Sequence, residues 1–123
     1  MPKNETRRDK GIKGEELARR WLMDHGATIL ATNWRHGHTE LDIVAKEQDL
    51  IVFVEVKTRS NSRFGHPEEN VDWKKQMALS KAAGAFLHEH ALGNEIRFDV
   101  IAITDEDNDP RIHHIKDAFF PHA

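Results

Sequence analysis

The chain has 123 residues, 18 Lys+Arg against 21 Asp+Glu, a net charge of −3 and no cysteine. That length fits one domain with one core, expected over 1–123 with 1–10 flexible. The missing cysteine excludes disulfides and suits a reducing cytosol. No apolar run reaches the ~18 residues a membrane helix needs, and "MPKNETRRDK" lacks a secretory h-region, so a soluble cytoplasmic protein with no membrane partner is expected.

The charge is unevenly spread. Residues 1–82 hold 15 Lys+Arg and 13 Asp+Glu, whereas 83–123 hold 3 and 8. The basic clusters "TRRDKGIK", "ARR", "KTRS" and "WKK" make a phosphate-binding surface only if they meet on one face. From counts alone they are equally ordinary solvated charge.

In chain order, "GEELARRWLMDH" (14–25) predicts a helix with Leu17, Ala18, Trp21 and Leu22 inward and Gly26 as its stop. Glu15 then lies along the edge of the buried stripe. "ATILATNWR" (27–35) predicts a first strand, and 40–47 and 50–58 a hairpin turning near Glu47–Asp49. A second helix over roughly 70–90 carries Trp73, Met77, Ala83, Phe86 and Leu87 at helical spacing. "EIRFDVIAI" (95–103) predicts a strand, and the acidic turn "TDEDNDP" leads to a short one near "RIHHIK". The expected class is α/β, a mixed central sheet flanked by helices in αβββαββ order.

The third strand, "IVFVEVKTRS", sets Glu55 and Lys57 on one face and Val52, Val54 and Val56 on the other. A turn near position 48 predicts Asp42 opposite about Phe53, a diagonal neighbour of Glu55 roughly 7–8 Å away. Two carboxylates left 4 Å apart repel by roughly 4 kcal/mol at an effective dielectric of about 20. Such a site holds a proton, a cation or a positive side chain. Lys57 is one candidate, and a hard divalent metal held by one or two carboxylates is another. A surface salt bridge explains the Glu-x-Lys spacing equally well.

The blocks "GIKGEELARRWL", "TNWRHGHTELDIV", "FVEVKTRS", "VDWKKQ", "RFDVIAI" and "HIKDAF" resemble, in order over about 11–120, the bacterial YraN-type family of predicted endonucleases. That family belongs to the PD-(D/E)XK, restriction-endonuclease-like superfamily and is similar to archaeal Holliday-junction resolvases. The resemblance implies Mg²⁺ or Mn²⁺ on Asp42, Glu55 and the Val56 carbonyl, with Lys57 serving the attacking water. It also implies a helix-borne acid at Glu15 and a polar site residue at Gln76. It further implies products with 5′-phosphate and 3′-hydroxyl ends, and Arg59, Arg63, Lys74 and Lys75, flanking the site in sequence, would neutralise phosphates. The implied activity is phosphodiester hydrolysis on nucleic acid, DNA rather than RNA and plausibly branched, with a homodimer if cuts are paired. A module of the same fold that binds nucleic acid without cutting, beside a repair partner, is the alternative.

Three features stand apart from that pattern. Thr39 replaces the Gly usual before the strand, and this puts the strand entry in question. Glu40 shares a face with Asp42 and is expected to be solvated. His36/His38 and His113/His114 offer zinc-type donors, but nothing in the sequence makes them converge.

Overall fold

The computed structural model describes residues 7–59, 71–106 and 109–120. The elements are α1 (Arg7–Asp24), β1 (Thr28–His36), β2 (Thr39–Glu47), β3 (Leu50–Arg59), α2 (Trp73–Glu89), β4 (Ile96–Glu106) and β5 (Asp109–Phe119). The αβββαββ order is as expected. The five strands lie in sequence order in one mixed sheet. Only the β3–β4 pair is parallel, as the intervening α2 requires, and the others are antiparallel.

Each helix covers one face. Ala18 and Leu22 of α1 pack with Ile43, Ala45, Val52, Val54, Ile101 and Ile103. On the opposite face Leu79, Ala82, Ala83 and Phe86 of α2 pack with Leu41, Val44, Ile51, Phe53, Phe98 and Val100. Each fully buried aliphatic or aromatic side chain contributes roughly 1.5–3 kcal/mol. α1 ends as its sequence dictates. Gly26, at φ +92, lets Ala27 N–H reach Leu22 O at 2.9 Å and Gly26 N–H reach Met23 O at 3.1 Å. At the other helix, Asp72 caps α2 by accepting Lys75 N–H at 2.8 Å.

Several expectations need correction. α1 begins at Arg7, ahead of the expected start at 14; "RRDKGIK" has too little apolar periodicity to reveal this. Residues 1–6 lie outside the described residues. β5 has 11 residues, and the acidic turn is largely strand. Trp73 is 60% exposed rather than part of the α2 stripe, because it occupies the first helical position. Thr39 enters β2 paired with His36, and the backbone freedom at that turn comes from Gly37 at φ +62.

Candidate functional site

Gly14 brings Glu15 to the sheet. A Cβ at Gly14 would collide with Thr58 Oγ1, so glycine permits α1 to lie this close to β3. Glu15 is half-buried, as its place beside the helix stripe predicts.

The β2–β3 register differs from the expected one. Phe53 faces Val44, and the ladder ends at Ile43↔Val54. The two-residue turn Gln48–Asp49, with Gln48 at φ +54, therefore puts Asp42 on the rung of Glu55, closer than the diagonal placement. Beyond the ladder's end Asp42 Oδ2 accepts the Val56 N–H at 2.9 Å.

Alternation along β2 breaks at the same point. Leu41 and Val44, three apart, pack toward α2, while Ile43 and Ala45 pack toward α1. In an undisturbed strand the spacing would be two.

The result is a carboxylate cluster. Oxygens of Glu15, Glu40 and Asp42 lie within 4.8 Å of one another. Glu40, expected to be solvated, instead belongs to this group and pairs with Arg35 at 3.3 Å. Glu55, 7% exposed, sets its carboxyl close to that of Asp42.

Burial, the neighbouring Glu55 carboxyl and the charge of Glu15 push Asp42 up to about 8, against the opposing Val56 N–H. Two neighbouring carboxyls resist ionising together, which is the direction of that shift. Burial also raises Glu15, assisted by Glu40 and Glu55 and opposed by the Asn33 side chain and the charge of Arg19.

Lys57 is half-buried two residues beyond Glu55 on β3. Lys75, expected as a phosphate contact, has Nζ 3.3 Å from Glu55 Oε2. That contact carries charge without an aligned hydrogen bond, since Glu55 Oε2 is buried and makes none. Gln76 Nε2 donates to Val71 O at 2.8 Å, at the start of α2. Lys74 is exposed. Arg59 ends β3 with a buried Nε that lacks a hydrogen-bond partner. Arg63 lies outside the described residues.

The histidine pairs do not converge. His36 and His38 flank the β1–β2 turn and are exposed, as is His113. His114 belongs to a buried network that sequence reasoning passed over. Asp99, fully buried, accepts from Arg97 Nε at 2.7 Å and Nη2 at 2.8 Å, and from Asp117 N–H at 3.0 Å. His114 Nε2 lies 2.7 Å from Asp99 Oδ2, while Trp21 Nε1–H donates to His114 Nδ1 at 3.1 Å. Because indole only donates, Nδ1 accepts and the His114 proton sits on Nε2, facing Asp99. Burial pushes Asp99 up, but Arg97, His114 and the Asp117 N–H outweigh it and hold the carboxyl below its usual value. The signal available in sequence was a charged "RFD" inside an apolar strand.

A depression of about 850 Å³ lies at the other end of the β2–β3 ladder, lined by His25, Glu47, Asp49, Asn94 and Lys116 among others. It is remote from Asp42 and Glu55. The chemistry of the donors, rather than cavity size, identifies the site.

An all-carboxylate oxygen set suits a hard cation such as Mg²⁺ or Mn²⁺ and not a thiolate- or imidazole-seeking metal. The buried Glu55 Oε2 makes no hydrogen bond and has the Lys75 ammonium 3.3 Å away, while burial and the neighbouring acids raise Asp42.

A family model described as "Uncharacterised protein family UPF0102" matches residues 14–103, a span that includes Glu15, Asp42, Glu55 and Lys57. Among similar proteins, the UPF0102 protein of Bacteroides thetaiotaomicron is 46% identical over 111 residues, covering 90% of this chain and 92% of its own. The UPF0102 protein of Syntrophomonas wolfei is 46% identical over 113 residues, covering 91% and 98%. A solved structure, that of Pyrococcus furiosus SfsA in complex with Ca²⁺, is similar at TM-score 0.40 and 17% identity, over 89% of this chain and 63% of that one. Among the described residues no helix is long and apolar enough to cross a membrane.

Proposed function

The chain belongs to the uncharacterised protein family UPF0102, and from the acid site it carries we propose that it is a divalent-metal-dependent endonuclease acting on DNA. The observation that carries this reading is the convergence of Glu15, Glu40 and Asp42 within 4.8 Å, with Glu55 beside Asp42 and Lys57 following on the same strand. Structural ion pairs neutralise charge. Here Arg35 pairs with Glu40 and Lys75 with Glu55, and the carboxylates of Glu15 and Asp42 crowd against them in excess of those pairs. The restriction-endonuclease-like resemblance of the sequence blocks supports the same reading.

Asp42 and Glu55, with the Val56 carbonyl, would hold Mg²⁺ or Mn²⁺, and Glu15 and Glu40 would complete the negative environment. When bound, such an ion polarises a phosphoryl oxygen and lowers the pKa of a coordinated water. The protein's own residues supply the remainder. Lys57 orients the attacking water and stabilises charge developing on the phosphate. Arg59 brings a guanidinium with an unspent buried N–H beside that strand end, and Lys74 offers an exposed ammonium; both suit backbone phosphates.

The test incubates purified protein with linear, nicked, flapped and four-way-junction DNA, and with RNA, in Mg²⁺ or Mn²⁺. Lys57→Ala and Asp42→Asn run in parallel. Cleavage by the wild type alone supports the reading. Equal cleavage by the variants, or none by the wild type, removes it, and binding without cleavage selects the non-catalytic module instead.

A further inference from the structure

Asn33 lies inside β1 with φ +51, a left-handed conformation that most side chains resist and Asn tolerates. It occupies the rung between Thr32↔Ile43 and Trp34↔Leu41, directly across from Asp42. The irregularity of β2 at Asp42 is mirrored here: Ala31 and Trp34, also three apart, both pack toward α2. Two neighbouring strands therefore slip their alternation together, and the backbone of Asn33 takes the turn that this needs. Its side chain also lies close to the Glu15 carboxyl of α1, whose oxygen is within 4.8 Å of those of Asp42 and Glu40.

Resting on the nuclease reading above, we propose that Asn33 is a positioning residue of the acid site. Its backbone lets β1 follow the irregularity that presents Asp42, and its side-chain amide holds the Glu15 carboxylate toward Asp42 and Glu40. An amide N–H is suited to this task. It donates to one carboxylate lone pair and leaves the others to accept a cation, and it adds no net charge to a group already rich in it.

The two tasks separate by substitution. Gly adopts φ +51 without the amide, Asp tolerates the conformation but replaces the donor with an acceptor, and Ala lacks both properties. Mn²⁺ affinity, read by electron paramagnetic resonance of the unbound ion, is expected to fall about tenfold in Asn33→Gly and at least as far in Asn33→Asp. In a Glu15→Gln background Asn33→Gly should add no further loss, because the partner it orients has changed. A merely structural role would leave the same penalty in both backgrounds. Wild-type affinity in Asn33→Gly, or a penalty that persists without Glu15, overturns the proposal.

If the wild type binds no Mn²⁺, the nuclease reading falls, and the Asn33 inference is decided by metal-free denaturation of the same four proteins. Non-additive changes in the unfolding equilibrium constant then support an Asn33–Glu15 coupling, and additive ones refute it.

Discussion

Asp42 Oδ2 receives the Val56 N–H at 2.9 Å where the β2–β3 ladder stops, so one side chain both continues the pairing and turns a carboxylate into the site. The backbone of β3 is thereby tied to the residue whose carboxyl neighbours Glu55. Fold and candidate chemistry share a single oxygen pair.

That arrangement makes the metal-free protein pH-sensitive in an unusual direction. Asp42 stands at about 8, above its ordinary value of 3.8, chiefly through burial and Glu55. A carboxyl raised in the folded state stabilises the fold while protonated. The contribution is complete below pH ~4 and is lost as pH climbs through about 8. Denaturant unfolding in EDTA should therefore show stability falling from pH 5 to pH 9 in the wild type and a flatter profile in Asp42→Asn. Identical profiles would refute the assignment. Mn²⁺ binding must displace that proton, so affinity should rise about tenfold per pH unit below pH 8.

Lys75 and a bound cation compete for Glu55. Lys75 Nζ sits 3.3 Å from Glu55 Oε2, and the lysine is 45% exposed, so the pair itself contributes at most ~1 kcal/mol. Lys75→Met should lower metal-free stability by no more than that while raising Mn²⁺ affinity several-fold, measured by calorimetric titration. Weaker binding in the variant would show that Lys75 supports the metal site.

Gly14 and Thr58 form a testable contact between α1 and β3. Gly14→Ala adds a methyl against Thr58 Oγ1 and is expected to cost about 1–3 kcal/mol, as overpacking does. In a Thr58→Ala background the same change should become neutral, or stabilising by up to ~1 kcal/mol, since Ala is the better helix former. A double-mutant cycle by denaturation reads the coupling, and equal effects in both backgrounds would rule the contact out.

Asp99 should behave in the opposite way to Asp42. Its carboxyl is lowered despite burial by Arg97, His114 and the Asp117 N–H, so its contribution is present above its unfolded value of 3.8 and is lost as pH falls through the lower folded value. Asp99→Asn removes the buried charge that Arg97 and His114 bond, while Arg97 keeps Glu47 at 3.2 Å, and should cost about 1–3 kcal/mol by denaturation. Mn²⁺ affinity should stay within twofold of wild type, because the network's hydrogen bonds hold β4 to β5 rather than to the acid cluster. A large loss of metal affinity would mean that Asp99 belongs to the site.

Much of this was legible in the residues. Period-2 runs placed β2 and β3, the stripe of Leu17, Ala18, Trp21 and Leu22 placed α1, and Gly26 marked its end, because these are local regularities of burial and backbone freedom. Glu15, Asp42, Glu55 and Lys57 could be named because charges interrupt apolar patterns that otherwise hold. What the tertiary structure decided is how they meet. Strand register depends on the φ of one turn residue, Gln48, and a shift there moves Asp42 from a diagonal position to the rung of Glu55. Glu40 and Asn33 read as ordinary polar strand residues until two adjacent strands slip together beside α1. Lys75 read as a surface cation until α2 set it against Glu55. Side-chain period and propensity act over a few residues, whereas register, close approach and charge convergence depend on elements far apart in the chain, so only the packed sheet could assemble them.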